Sequence, residues 1–157
     1  MGPLSNQPQF TKIAGVFEQA RKEGLNCLVG GELPPNGNDW CVPPTIYDDI
    51  SLDHPFWREE LFGPILVVTY FDDEAQAVEL ANDSDFGLVA TIITSDIPRA
   101  ERLADQIMSG HIWINSPQVI FPQTLWGGFK GSGIGRELGP WGLSAYLGVK
   151  HVSAFKA

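Results

Sequence analysis

Three stretches of this chain hold the side chains whose types and spacing could do chemistry. Residues 57–64 (WREELFGP) set Arg58, Glu59 and Glu60 just ahead of Phe62 and a Gly-Pro pair. A carboxylate near the end of a parallel sheet can accept hydrogen bonds from ligand hydroxyls. An aromatic two residues on can lie against a flat ring. On spacing alone the competing reading is a solvated charged turn with a core phenylalanine. Residues 126–139 (WGGFKGSGIGRELG) combine dense glycine with one Lys, one Arg and one Glu behind an indole. Glycine at this density means backbone in conformations that other residues resist, or backbone that something approaches closely. The third stretch is the pair of thiols, Cys27 and Cys41.

Several chemistries can be weighed against these residues. A dinucleotide or phosphate cradle needs glycines opening a helix after a strand. The run at 131–136 (GSGIGR) carries Arg136 where the third glycine belongs, and no strand stands directly before it. The turn at 71–74 (FDDE) brings three carboxylates to a helix start, which would repel a pyrophosphate. His54, His111 and His151 share no ligand spacing with one another or with the cysteines, so no metal site is expected. His111 opens a strand and reads as structural. Ser132 lies in G-S-G, not in a nucleophile elbow. Cys27 (NCLVG) reads as a buried strand residue and Cys41 (WCVPP) likewise as inert, since no local cation or base would lower either pKa. The sequon at Asn82 reads as chance.

Composition bounds the class. The chain has 157 residues, 43% hydrophobic and 18% charged, enough for one domain with a core and too apolar for disorder. A formal charge of -9 with no Lys/Arg cluster argues against nucleic acid. No apolar run approaches the roughly 20 residues of a bilayer span. The start (MGPLSNQPQF) has no basic-then-apolar pattern, and two thiols without such a leader read as reduced. A cytoplasmic protein without membrane contact is the expectation.

The elements that must position these residues follow from periodicity. Apolar residues at helical spacing predict an amphipathic helix over 8–23, stopped by Gly24. Residues 25–30 read as a short strand, and 42–49, with Pro43 and Pro44, as an edge strand or extended segment. Residues 65–71 (ILVVTYF) read as a strand buried on both faces. Asp72 caps a helix to about residue 82, and 88–94 (LVATIIT) is a second buried strand. Asp96 and Pro98 start another helix, ended by Gly110, and 111–115 (HIWIN) is a third strand. The expected class is α/β: a β-α-β-α-β parallel sheet unit with an N-terminal helix. A short helix over 140–147 and a terminal strand over 150–155 complete it. That last strand must return to the sheet or pair with another chain.

In their order and spacing, EELFGP, FDDEAQAVELANDSDFGLVATIITSD, GHIWIN and WGGFKGSGIGRELGPWGLSAYLGVKHV resemble the C-terminal third of an NAD(P)-dependent aldehyde dehydrogenase. The segments MGPLSNQPQF and VPPTIYDDI extend the resemblance to essentially the whole chain. It implies that residues 1–148 form the latter portion of the catalytic domain. Residues 149–157 would be the terminal strand of the oligomerisation region. Glu60 matches the carboxylate that holds the nicotinamide ribose hydroxyls, and Phe62 the aromatic beside the nicotinamide. Trp126 stands where phenylalanine is more usual, as in the betaine-aldehyde and aminoaldehyde branch, where aromatics box a cationic head group. The implied reaction is thiolate attack on an aldehyde, hydride transfer to NAD or NADP, and thioester hydrolysis.

The resemblance also implies what is lacking. The family nucleophile, general base, oxyanion-hole Asn and Rossmann domain match no residues of this chain, so no catalytic residue is assigned. His111 stands where a small or apolar residue is commoner. The expectation is a truncated frame, an excised piece or half of a split enzyme. It would be inactive alone, bind no cofactor tightly, and partner a second copy or the missing N-terminal portion. The alternative is a non-catalytic domain that self-associates.

Overall fold

Helix α1 (Gln7–Glu23) starts where Asn6 caps it, the Asn6 side chain accepting from the Gln9 amide at 2.9 Å, with a proline in the first turn. It stops at Gly24, whose left-handed backbone (φ 70°) returns its N–H to the Ala20 and Arg21 carbonyls. Ile13, Val16, Phe17 and Ala20 recur along one face and are buried. That stripe makes the core of the first of two units, Met1–Tyr70; the second is Phe71–Ala157. The structure is a computed structural model describing residues 1–35, 39–116 and 118–156.

In the first unit, β1 (Asn26–Val29), β2 (Thr45–Asp48) and β3 (Ile65–Val68) form one mixed sheet in that order. β1 pairs antiparallel with β2, and β2 pairs parallel with β3 in the register Thr45 to Ile65 through Asp48 to Val68. The segment expected at the edge is therefore the central strand. Pro43 and Pro44 do not prevent this, because the ladder begins at Thr45, after both. Val42, Tyr47, Ile50 and Phe56 join the α1 stripe in a single buried cluster. A short helix, α2 (Pro55–Arg58), is capped by His54, whose Nδ1 accepts from the Phe56 amide at 3.0 Å. Its Nε2 lies 2.7 Å from the Glu23 carboxylate, tying the end of α1 to the start of α2.

The second unit holds α3 (Glu74–Asn82), β4 (Phe86–Gly87), β5 (Val89–Ile92), α4 (Ile97–Ala104), β6 (His111–Ile114), β7 (Phe129–Lys130) and α5 (Gly139–Ser144). Asp73, not Asp72, caps α3, and Asp96 caps α4 as expected. β5 and β6 pair in parallel across α4, one β-α-β crossover. β4 and β7 form a short antiparallel pair.

Three expectations change. The 65–71 strand ladders with β2 and the 88–94 strand with β6, so the ladders form a three-stranded mixed sheet and two two-stranded sheets. An apolar run identifies a strand but carries no information on which edge its neighbour takes. The strands expected to be covered on both faces are half-open: Leu66 is 57% exposed and Ile93 75%. The expected terminal strand at 150–155 has no ladder and is exposed throughout. An extended segment becomes a strand only when a neighbour satisfies its N–H and C=O groups.

Candidate functional site

The first unit pins residues 59–64 from below. The Gln9 side-chain amide, on the first turns of α1, donates to the carbonyls of both Leu61 and Phe62 at 2.9 Å. Leu61 packs against the buried cluster, while Glu60 and Phe62 on either side of it are exposed. Gly63 lies against Ile13; a Cβ there would come within 2.6 Å of the Ile13 Cδ1. The Pro64 carbonyl accepts from the Thr45 amide at 2.8 Å and leads into β3. Phe62 takes a left-handed backbone (φ 57°), a conformation that costs a non-glycine residue about 1 kcal/mol or more. The two Gln9 bonds, each contributing about 1 kcal/mol, offset that strain. The outcome is a fixed backbone carrying two outward side chains: an aromatic ring 66% exposed and a carboxylate. Among the described residues no hydrogen bond or ion pair engages Glu60.

In the second unit the glycine run folds on itself. Trp126 and Glu137 exchange backbone hydrogen bonds of 2.7 and 2.8 Å, closing the run into a loop. Inside it the amides of Gly131, Ser132 and Gly133 donate to the carbonyls of Asp85, Phe129 and Lys130. Arg136 donates to the Gly128 and Gly135 carbonyls at 2.8 and 2.7 Å and lies over the Phe129 ring. These three amides and the guanidinium are thus engaged by carbonyls and not turned to an anion. The Ser132 hydroxyl accepts from the Gly87 amide at 3.0 Å and is a structural tie. Lys130 donates to the Asn82 and Ser84 carbonyls at the end of α3, where the helix dipole favours a cation.

Trp126 lines a cavity of about 430 Å³ walled otherwise by the glycine loop, Leu88 and Ala145. It also belongs to a cluster of three rings. The His111 ring lies 4.2 Å from Trp113 and 5.6 Å from Trp126, and the two indoles are 6.1 Å apart. Sequence reasoning missed this grouping. Its signal was the H-x-W spacing of β6, which puts His111 and Trp113 on one face of the strand. Gln9 was missed too, and nothing in its local sequence marks it.

The remaining candidates do not converge on a site. Cys27 is exposed, a correction to its expected burial. β1 is an edge strand whose four residues are all exposed, so an apolar run there did not mean burial. Its Sγ lies 3.3 Å from the Val29 carbonyl oxygen. Burial, helped by the Asp39 carboxylate, pushes the Cys41 thiol up, away from a reactive thiolate. The Asn82 amide donates to the Gln106 carbonyl and accepts from the Met108 amide, holding α3 to the segment before β6. Among the described residues no group of three or more His, Cys, Asp or Glu could hold a metal ion, and no helix is long and apolar enough to cross a membrane. Glu60 and Phe62 share one loop of the first unit, and Trp126 lies in the second.

Comparison with known proteins gives a consistent result. The model of the aldehyde dehydrogenase family matches residues 1–152. The chain is 42% identical over 156 residues to a peroxisomal aminoaldehyde dehydrogenase 1 of Pisum sativum, covering 99% of this chain and 31% of that protein. It is 44% identical over 156 residues to betaine aldehyde dehydrogenase 1 of Oryza sativa subsp. japonica, with the same coverage of 99% and 31%. Among solved structures, a betaine aldehyde dehydrogenase variant from Staphylococcus aureus in complex with NAD+ superposes with a TM-score of 0.91 at 38% identity. That match covers 97% of this chain and 31% of the other. The chain thus spans about a third of the length of the curated relatives it matches.

Proposed function

Because the chain belongs to the aldehyde dehydrogenase family, we propose that it supplies the C-terminal third of an NAD(P)-dependent enzyme that oxidises betaine aldehyde or an aminoaldehyde to the acid. Glu60 accepts hydrogen bonds from the nicotinamide ribose hydroxyls; an unengaged carboxylate can take two donors at once. Phe62 lies beside the nicotinamide ring and restricts its position. Trp126 receives the cationic head group on its indole face. The bound dinucleotide supplies the hydride acceptor; this chain's residues hold and orient.

The nucleophilic cysteine, the general base and the nucleotide-binding domain belong to the part of the relatives that this chain does not match. The chain alone is therefore inactive and binds no cofactor tightly. Residues 149–157 serve oligomerisation. Val149, Val152 and Phe155 are exposed on a segment without a ladder, which suits addition to the sheet of a second copy or of the remaining portion of the enzyme.

The observation that carries this reading is the loop at 59–64: its backbone is held by α1 while Glu60 and Phe62 are left outward and unengaged. The test follows NADH absorbance with NAD and betaine aldehyde. The chain alone should be silent, and mixing it with the N-terminal two thirds of a relative should restore turnover. Enzyme-like turnover by the chain alone would overturn its inactivity. In the complemented enzyme Glu60→Gln should raise KM for NAD; an unchanged value removes the cofactor role. A preference for cationic aldehydes that survives Trp126→Ala removes the head-group role.

A further inference from the structure

Trp126 does not stand alone at the cavity it lines. Gly110, the residue before β6, sits so close to the Gly127 carbonyl that an added Cβ would land on that oxygen. This contact joins the start of β6 to the Trp126 segment and sets the distance between their side chains. Trp113 is locked in place: it is 7% exposed, and its Nε1–H donates to the Val119 carbonyl at 2.9 Å. His111 precedes it by two residues on the same strand face, its own amide bonded to the Leu88 carbonyl at 3.1 Å. The imidazole lies 4.2 Å from the Trp113 ring at a tilt of 36° and 5.6 Å from the Trp126 ring at 49°. It is nearer to each indole than the indoles are to one another, at 6.1 Å.

We propose that His111 is a positioning residue for Trp126: it bridges the locked Trp113 and the cavity-lining indole, and so sets the ring face offered to an ammonium group. The proposal rests on the cationic-aldehyde reading above. A cation–π contact depends on the cation standing over the ring face. An indole with two free torsions must be ordered on binding unless a neighbour orders it beforehand. Trp113 reaches Trp126 from farther off, so removing the imidazole takes away the nearer of the two rings beside Trp126. Phenylalanine at this position keeps a flat ring against both indoles, whereas alanine leaves a gap.

The experiment compares the full chain with its His111→Ala and His111→Phe variants. The first readout needs no ligand: the indole Nε1–H resonance of Trp126, assigned through Trp126→Phe. His111→Ala should broaden or shift it while the Trp57 indole in the first unit stays put, and His111→Phe should restore it. The second readout is binding of choline against its uncharged isostere 3,3-dimethylbutanol. His111→Ala should weaken choline about three- to tenfold with little change for the alcohol, and His111→Phe should recover most of the loss. A Trp126 resonance unmoved by His111→Ala overturns the proposal, as does equal weakening of both probes. If neither the wild-type chain nor the enzyme it forms with the N-terminal two thirds of a relative binds choline while the indole still responds to His111→Ala, the cationic-aldehyde reading fails and the bracing of Trp126 stands. Should His111→Ala not fold, His111→Phe decides, since a phenylalanine that matches wild type in both readouts supports a bracing ring and one that loses choline selectivity overturns it.

Discussion

The two units are held together by different means. In the first, eight hydrophobic side chains from α1, β2 and their neighbours are buried in one cluster. In the second, among the described residues, only Ala100 and Trp113 are buried hydrophobics, and large side chains such as Ile93, Tyr146 and Val149 are exposed. What organises the second unit is backbone: the closed Trp126–Glu137 loop, the Gly110–Gly127 approach, and amide side chains such as Asn115, which exchanges hydrogen bonds of 2.9 and 2.7 Å with the Thr94 main chain. The difference bears on function. The outward pair Glu60 and Phe62 rests on a core that its own unit supplies. Trp126 rests on close backbone contacts and two neighbouring rings.

The sharpest way to break this contrast is to truncate one isoleucine in each unit. Ile13→Ala, at a fully buried position that also supports Gly63, should cost about 3–4 kcal/mol in denaturant unfolding. Ile93→Ala, at a side chain 75% exposed, should stay within about 0.5 kcal/mol. Equal costs would mean that the second unit has a core of its own. Next in size, Gly110→Ala should cost about 2–3 kcal/mol and move the Trp126 indole signal, because the new Cβ meets a carbonyl oxygen and not a flexible side chain. An unchanged indole signal would show that backbone approach does not place Trp126. Gln9→Ala should cost about 1–2 kcal/mol through two lost hydrogen bonds. Hydrogen exchange should then rise in residues 61–65 and leave the glycine loop untouched.

The last effect, a pH dependence confined to the first unit, is absent at neutral pH and appears only on alkaline titration. Burial, with the Cys27 thiol alongside, pushes the Tyr47 hydroxyl from an ordinary 10.0 to about 12. The folded chain then keeps a proton that the unfolded chain releases. The stability this represents is complete below pH 10 and is lost as pH rises towards 12. Tyr47→Phe should flatten the alkaline fall in thermal midpoint, and a fall of unchanged slope would place its origin elsewhere.

Much of this was legible beforehand, for reasons particular residues make plain. Gly24 marks the end of α1 because capping is local chemistry, satisfied within a few residues. Asp96 and Pro98 mark the start of α4 in the same way. Glu60, Phe62 and Trp126 were singled out by resemblance; Glu60 and Phe62 are exposed, and Trp126 is half-buried at the edge of a cavity. Illegible were the partners. β2 became central, not marginal, because β1 and β3 took its two edges. Cys27 was open, not buried, because β1, among the described residues, ladders with β2 alone. Gln9 became the support of the Phe62 loop through contacts more than fifty residues away, and His111 joined Trp126 through a glycine-to-glycine approach.

By itself the amino-acid sequence determined the longer helices, most of the longer strands, the Gly24 and Asp96 caps and the family, because each is written in short-range pattern or in direct match. The tertiary structure alone decided which strand neighbours which, which apolar faces are covered, and which residues hold Phe62 and Trp126 in place. Those depend on long-range contacts, and periodicity along a chain says only that a face needs a partner, not where that partner lies.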